Sequence, residues 1–151
     1  MKPEIKAKLS EVLKAHSDQV EADKAALANS NKMVNQRAAR FKGLQQSTIS
    51  PAMTEIEREL KQAHLRVDVD HGSKPIDRRL LPTANYSAFD FHATGGLVSL
   101  LISQSKEKDD VDVSFWKKGK SYRSFTLDPD KLDEETVQTF VTELVEEALK
   151  P

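Results

Sequence analysis

From Pro3 to Lys42 the chain has no interior glycine or proline, alanine is frequent, and the polar stretch Asn29-Ser30-Asn31 is the only punctuation. Good helix formers without breakers predict helix. Leu13, Val20, Leu27, Val34 and Phe41 recur at intervals of seven, which keeps them on one stripe of a supercoiled helix. Three residues after each stand His16, Asp23, Ser30, Arg37 and Leu44, so the companion seam of a coiled coil is mostly polar. Alanines at 15, 22, 26 and 38 permit close approach while adding little burial. An unbroken helix of about 40 residues would be roughly 60 Å long. The alternative is a turn at Asn29-Ser30-Asn31, with Ser30 or Asn31 capping a second helix that folds back. The expectation is a long helix, weak at that point, that stops at Gly43.

Residues 44–50 read as a polar connector, and Ser50-Pro51 as an N-cap followed by proline at the first helical position. Met53, Ile56, Leu60 and Ala63 then mark the narrow apolar stripe of a second helix ending near Ala63. Period two takes over at His64. Leu65, Val67 and Val69 alternate with His64, Arg66, Asp68 and Asp70, as in a strand with one wet face. Residues 71–83 read as a loop. Strands are predicted again over Tyr86–Ala93, Leu97–Gln104, Val111–Trp116 and Tyr122–Leu127, separated by Thr94-Gly95-Gly96, a charged turn over 105–110 and a glycine turn over 117–120. Leu97–Gln104 is apolar on both faces, as in a central strand. Short connections require antiparallel neighbours, so the sheet is a meander.

The last helix has two readable starts. Asp128-Pro129 is a cap with proline behind it, and Leu127 and Leu132 fit a hydrophobic staple; Asp133 followed by Glu134 and Glu135 is the other. Val137, Phe140, Val141, Leu144, Val145 and Ala148 form a broad apolar face that must pack on a sheet. The fold class expected is α+β: a long N-terminal helix with weak coiled-coil character, a second helix, about four to five antiparallel strands and a C-terminal helix on one sheet face. Residues 1–43 form a helical extension and 44–151 the α+β domain.

Composition narrows the function. The 151 residues carry a formal net charge of -1, but the first 50 hold 9 basic and 5 acidic side chains and the rest 14 and 19. Two regions with different jobs are implied. Absence of cysteine excludes disulfides, thiolate metal sites and cysteine nucleophiles. The N-terminus MKPEIKAKLS has no apolar signal core, and the apolar run at 97–102 is far short of the ~20 residues of a membrane span. A cytoplasmic protein without membrane association is expected.

Chemistry has few candidates. His64, Asp68 and Asp70 share one strand's polar face and Asp90 and His92 the next, so an imidazole and carboxylate metal site, and with it a metal-dependent enzyme, is conceivable. Polar residues must nevertheless face outward on any half-wet strand, and neither metal nor cofactor is expected. No GxSxG, GKS or GxGxxG occurs, and Thr94-Gly95-Gly96 joins two strands rather than a strand and a helix. Lys32, Arg37, Arg40 and Lys42 form an acid-free segment suited to nucleic acid, and Lys117, Lys118 and Lys120 lie beside Trp116, Tyr122 and Arg123. The acidic remainder opposes a polyanion, and basic residues near a helix C-terminus also suit its dipole. Trp116 faces away from the helices, which marks the outer sheet face for an interface. The expectation is an interaction or assembly module, a homodimer or bound to a protein partner, using Leu13, Val20, Leu27, Val34, Phe41 and Trp116.

Overall fold

The computed structural model describes residues 1–72, 85–105 and 109–150, and no side chain for Ser30 or Val34. Most of the expected loop over 71–83, the middle of the turn over 105–110 and the Val34 side chain therefore lie outside the described residues. The chain divides into two units, Met1–Gln36 and Arg37–Pro151. Helix α1 runs unbroken over Pro3–Leu44. Asn29-Ser30-Asn31 does not turn it, since polar side chains lower helix propensity by only a few tenths of a kcal/mol each while every backbone bond is kept. In the first unit α1 is the whole structure.

Gly43 does not stop the helix. Helical geometry continues through a π turn over Gln45–Ile49 into α2, Ser50–Gln62. The Ser50 amide donates to the Gln45 carbonyl, five residues back, and Ser50 itself is helical rather than a cap. Pro51 explains the wide turn: its ring has no N–H and would strike the carbonyl four residues earlier, so one extra residue is accommodated just before it. A polar connection and a proline thus read as a linker in sequence and as a bulged helix in space.

Five strands follow: β1 Arg66–Asp70, β2 Tyr86–Ala93, β3 Gly96–Gln104, β4 Val111–Lys117 and β5 Lys120–Leu127. They pair antiparallel in sequence order, the expected meander. Val67 opposes Phe91, Phe89 opposes Leu100, and Ile102 opposes Val113. Because strand side chains alternate, this register puts all of them on one face. There they form the core with Ile49, Ala52 and Met53 and with Val137, Val141 and Leu144 of α3, Glu134–Leu149. Phe41, at the end of α1, is also buried in it. The outer strands carry charge and polarity, Arg66, Asp68 and Asp70 on one and Lys120, Arg123 and Ser124 on the other, which discourages edge-to-edge pairing.

Both predicted helix starts are used. Asp128 accepts from the Asp130 amide and opens a short 3-10 turn, and Asp133 then caps α3 by accepting from the Thr136 amide at 2.7 Å. Hydrogen bonds from the Thr136 side chain and amide hold the Asp133 carboxyl below its ordinary range. With Asp133 as the cap, Leu132 and Val137 occupy the staple positions, and both are buried. Leu127, the expected partner, precedes the other cap and belongs to β5.

Candidate interaction surface

Within the first unit the apolar side chains of α1 have nothing over them. Leu13 is 59% exposed and Leu27 63%, with Val20 half-buried. Ile5, Leu9 and Val12 are exposed too. At 100° per residue these six positions fall in one sector about 100° wide. Sequence reasoning followed the strict repeat of seven and missed Ile5, Leu9 and Val12, which widen the stripe toward the N-terminus. A search at three and four residue spacings would have found them. Each of these side chains loses apolar contact with water on meeting another apolar surface, at ~25 cal/mol per Å².

The fold takes His64 out of the strand residues weighed as metal ligands and leaves Asp68 opposite Asp90. His64 is not on β1: it sits in the turn after α2 with φ 63°, and its amide donates to the Lys61 carbonyl. His92 and Asp68 do meet, Nε2 to Oδ2 at 2.7 Å, as a cross-strand pair open to water. Asp70 accepts instead from the Tyr86 hydroxyl at 2.9 Å. Among the described residues no group of three or more histidine, aspartate or glutamate side chains converges on a point where an ion could be held.

A second polar cluster was not anticipated. His71 Nδ1 lies 2.8 Å from Ser87 Oγ, and Gln45 Nε2 donates to the same oxygen at 2.9 Å. Desolvation lowers the His71 pKa below 6.5, against the opposing pull of Asp70 and Glu57. Ser87 Oγ accepts from Gln45, and its contact with His71 Nδ1 is the second hydrogen bond of the hydroxyl. A serine against a neutral histidine resembles half of a nucleophilic pair, yet Ser87 is fully buried and cannot reach a substrate. The cluster joins the π turn, the end of β1 and β2. Among the described residues no buried side-chain nitrogen or oxygen lacks a partner.

Two of the basic candidates are engaged within the second unit. Arg37 pairs with Asp109 at 3.1 Å and Arg40 with Asp130 at 3.4 Å, so a segment free of acids in sequence meets them in space. Lys42 is exposed, and Lys32 is exposed in the first unit. Arg123 lies 5.0 Å from the ring centres of both Phe115 and Phe125 and pairs with Glu143 at 2.7 Å. Trp116 faces away from the helices as expected. It packs on the buried Tyr86, Ala88 and Leu101, and its indole N–H donates to Ser114. Among the described residues no helix is long and apolar enough to cross a membrane. Protein-family models, curated proteins and solved structures yield no match to this chain.

Proposed function

We propose that the protein is an assembly module of the cytoplasm, not a catalyst, and that it self-associates through the apolar stripe of α1. One observation carries the reading: Leu13 and Leu27 stay more than half exposed on an unbroken helix, in one sector with Ile5, Leu9, Val12 and Val20. Several leucine-sized side chains in water on one helix face represent several kcal/mol recoverable by pairing. A heptad stripe is matched by another heptad stripe, which makes a second copy the natural partner and a homodimeric, weakly coiled-coil helix pair its form. Two observations weigh against the other classes. Ser87 is sealed from substrate beside its histidine, and Arg37 and Arg40 are occupied by carboxylates.

Replacing Leu13 and Leu27 together by Asp tests the reading, because charge on the stripe removes the gain from pairing. Light scattering on the intact chain should then fall from a concentration-dependent mass to the monomer's, with circular dichroism of the α+β unit unchanged. A mass equal to wild type would reject α1 as the interface.

A further inference from the structure

Resting on the self-association proposed above, we infer that the second copy binds antiparallel, with the two α1 helices crossing a two-fold axis near residue 18. A two-fold interface is self-complementary: whatever residue i touches on the partner, that residue's counterpart touches i. The stripe must therefore match its own reverse or its own parallel copy. The seam runs Leu9, Leu13, His16, Val20, Asp23 and Leu27.

Reversed about residue 18, all six seam positions overlap. Leu9 meets the partner's Leu27, His16 meets the partner's Val20, and Leu13 meets the partner's Asp23. No polar seam residue meets its own kind. Asp23 also enters the interface already satisfied on its own helix, accepting from Gln19 Nε2 at 2.9 Å. The residues flanking one side of the seam then match in polarity as well. Val12 lies by the partner's Ala26, and Ile5 by the partner's Met33, both exposed on a single copy. On the other side Ser10 lies by the partner's Lys24 and Ser17 by the partner's Ser17, where water can reach.

A parallel pair wastes the same residues. Asp23 would face the partner's Asp23 and His16 the partner's His16, and like charges set opposite each other are destabilising. Val12 would lie by the partner's Ser17 and Ile5 by the partner's Ser10, so apolar flanks would meet polar ones. One heptad toward the N-terminus, an antiparallel pair would set Leu27 by the partner's Lys2, which precedes α1; one heptad toward the C-terminus, it would set Leu9 by the partner's position 34, Leu13 by the partner's position 30 and Leu27 by the partner's His16. The alignment about residue 18 is the one that joins Leu9 and Leu27 in one layer.

The absence of native cysteine makes the test direct. Leu9→Cys and Leu27→Cys are made singly in the full chain, and each is oxidised alone and as a mixture, with light scattering on the reduced proteins to establish mass. The expected result is dimeric mass for both, a mixed disulfide between the two variants, and little homodisulfide in either alone, since bridging requires Cα atoms within about 7 Å. His16→Cys mixed with Val20→Cys repeats the measurement at the centre of the helix pair. A homodisulfide formed efficiently by Leu9→Cys alone would establish a parallel pair and overturn the inference while sparing the self-association. Dimeric mass with no disulfide in either mixture would overturn this alignment. Monomeric mass for the reduced variants and for wild type would overturn the self-association itself.

Discussion

Gln45 and Ser87 are joined by a 2.9 Å hydrogen bond from Nε2 to Oγ, and the same amide donates to the Tyr86 carbonyl at 2.9 Å. Through this side chain the π turn is fastened to β2. His71 closes the group from the end of β1, so one buried hydroxyl ties together the helical turn and two strands. Ser87→Ala should cost about 1–3 kcal/mol, because Gln45 loses one of its acceptors and the His71 nitrogen is left without a partner in a desolvated place. Chemical denaturation should show the loss in midpoint at unchanged slope.

The same cluster predicts a pH dependence of stability. Burial lowers the His71 pKa in the folded chain, so the unfolded chain binds the proton more readily. The stability contributed by the neutral ring is fully present above the unfolded value of 6.5 and is lost as pH falls from there through the lower folded value. His71→Asn removes that titration. Unfolding free energy measured from pH 8 to 5 should decline less steeply in the variant than in wild type, and equal slopes would show that His71 does not contribute.

Gly72 is constrained by a neighbour rather than by its own backbone. A Cβ at this position would fall on the Tyr86 hydroxyl and within 2.7 Å of Cζ. Tyr86 is 1% exposed, held by its bond to Asp70, and has nowhere to move. Gly72→Ala should therefore destabilise by about 1–3 kcal/mol, the usual range for overpacking. Thermal unfolding of Gly72→Ala in the Tyr86→Phe background would show how much of this arises from the hydroxyl.

The nucleic-acid reading makes the opposite demand on the second unit. With Arg37 and Arg40 held by Asp109 and Asp130, only weak and non-specific binding to DNA or RNA is expected at physiological salt. Fluorescence anisotropy with a labelled duplex and a labelled single strand checks this. Tight, steeply salt-dependent binding destroyed by neutralising Arg37, Arg40 and Lys42 would show that the segment is a nucleic-acid arm.

The strands and the two later helices were legible because each obeys a local rule. Alternation in Val67 to Val69 and in Val111 to Phe115 is dictated by the pleat, and Asp133 caps a helix through a bond to a residue three positions on. What escaped was decided by neighbours distant in sequence or by a choice between two local signals. Gly43 and Ser50-Pro51 carry stop and start signals that a widened turn absorbs without breaking the helix. His64 continues the alternation of β1 in sequence but takes a left-handed backbone, φ 63°, to leave α2, and so is lost to the strand's polar face. Arg37 and Asp109, or Gln45 and Ser87, have no sequence relation that would announce their meeting. On α1 the repeat of seven is plain in the sequence, while the flanking Ile5, Leu9 and Val12 join the same surface because the helix is continuous and these side chains are exposed on it.

The central claim is that the α1 stripe joins two copies of the chain, and the mass of the intact wild-type protein in solution tests it most directly. Sedimentation equilibrium from low to high micromolar concentration should give a mass rising toward twice the 16.9 kDa of one chain. A mass that stays at that of one chain throughout would contradict it.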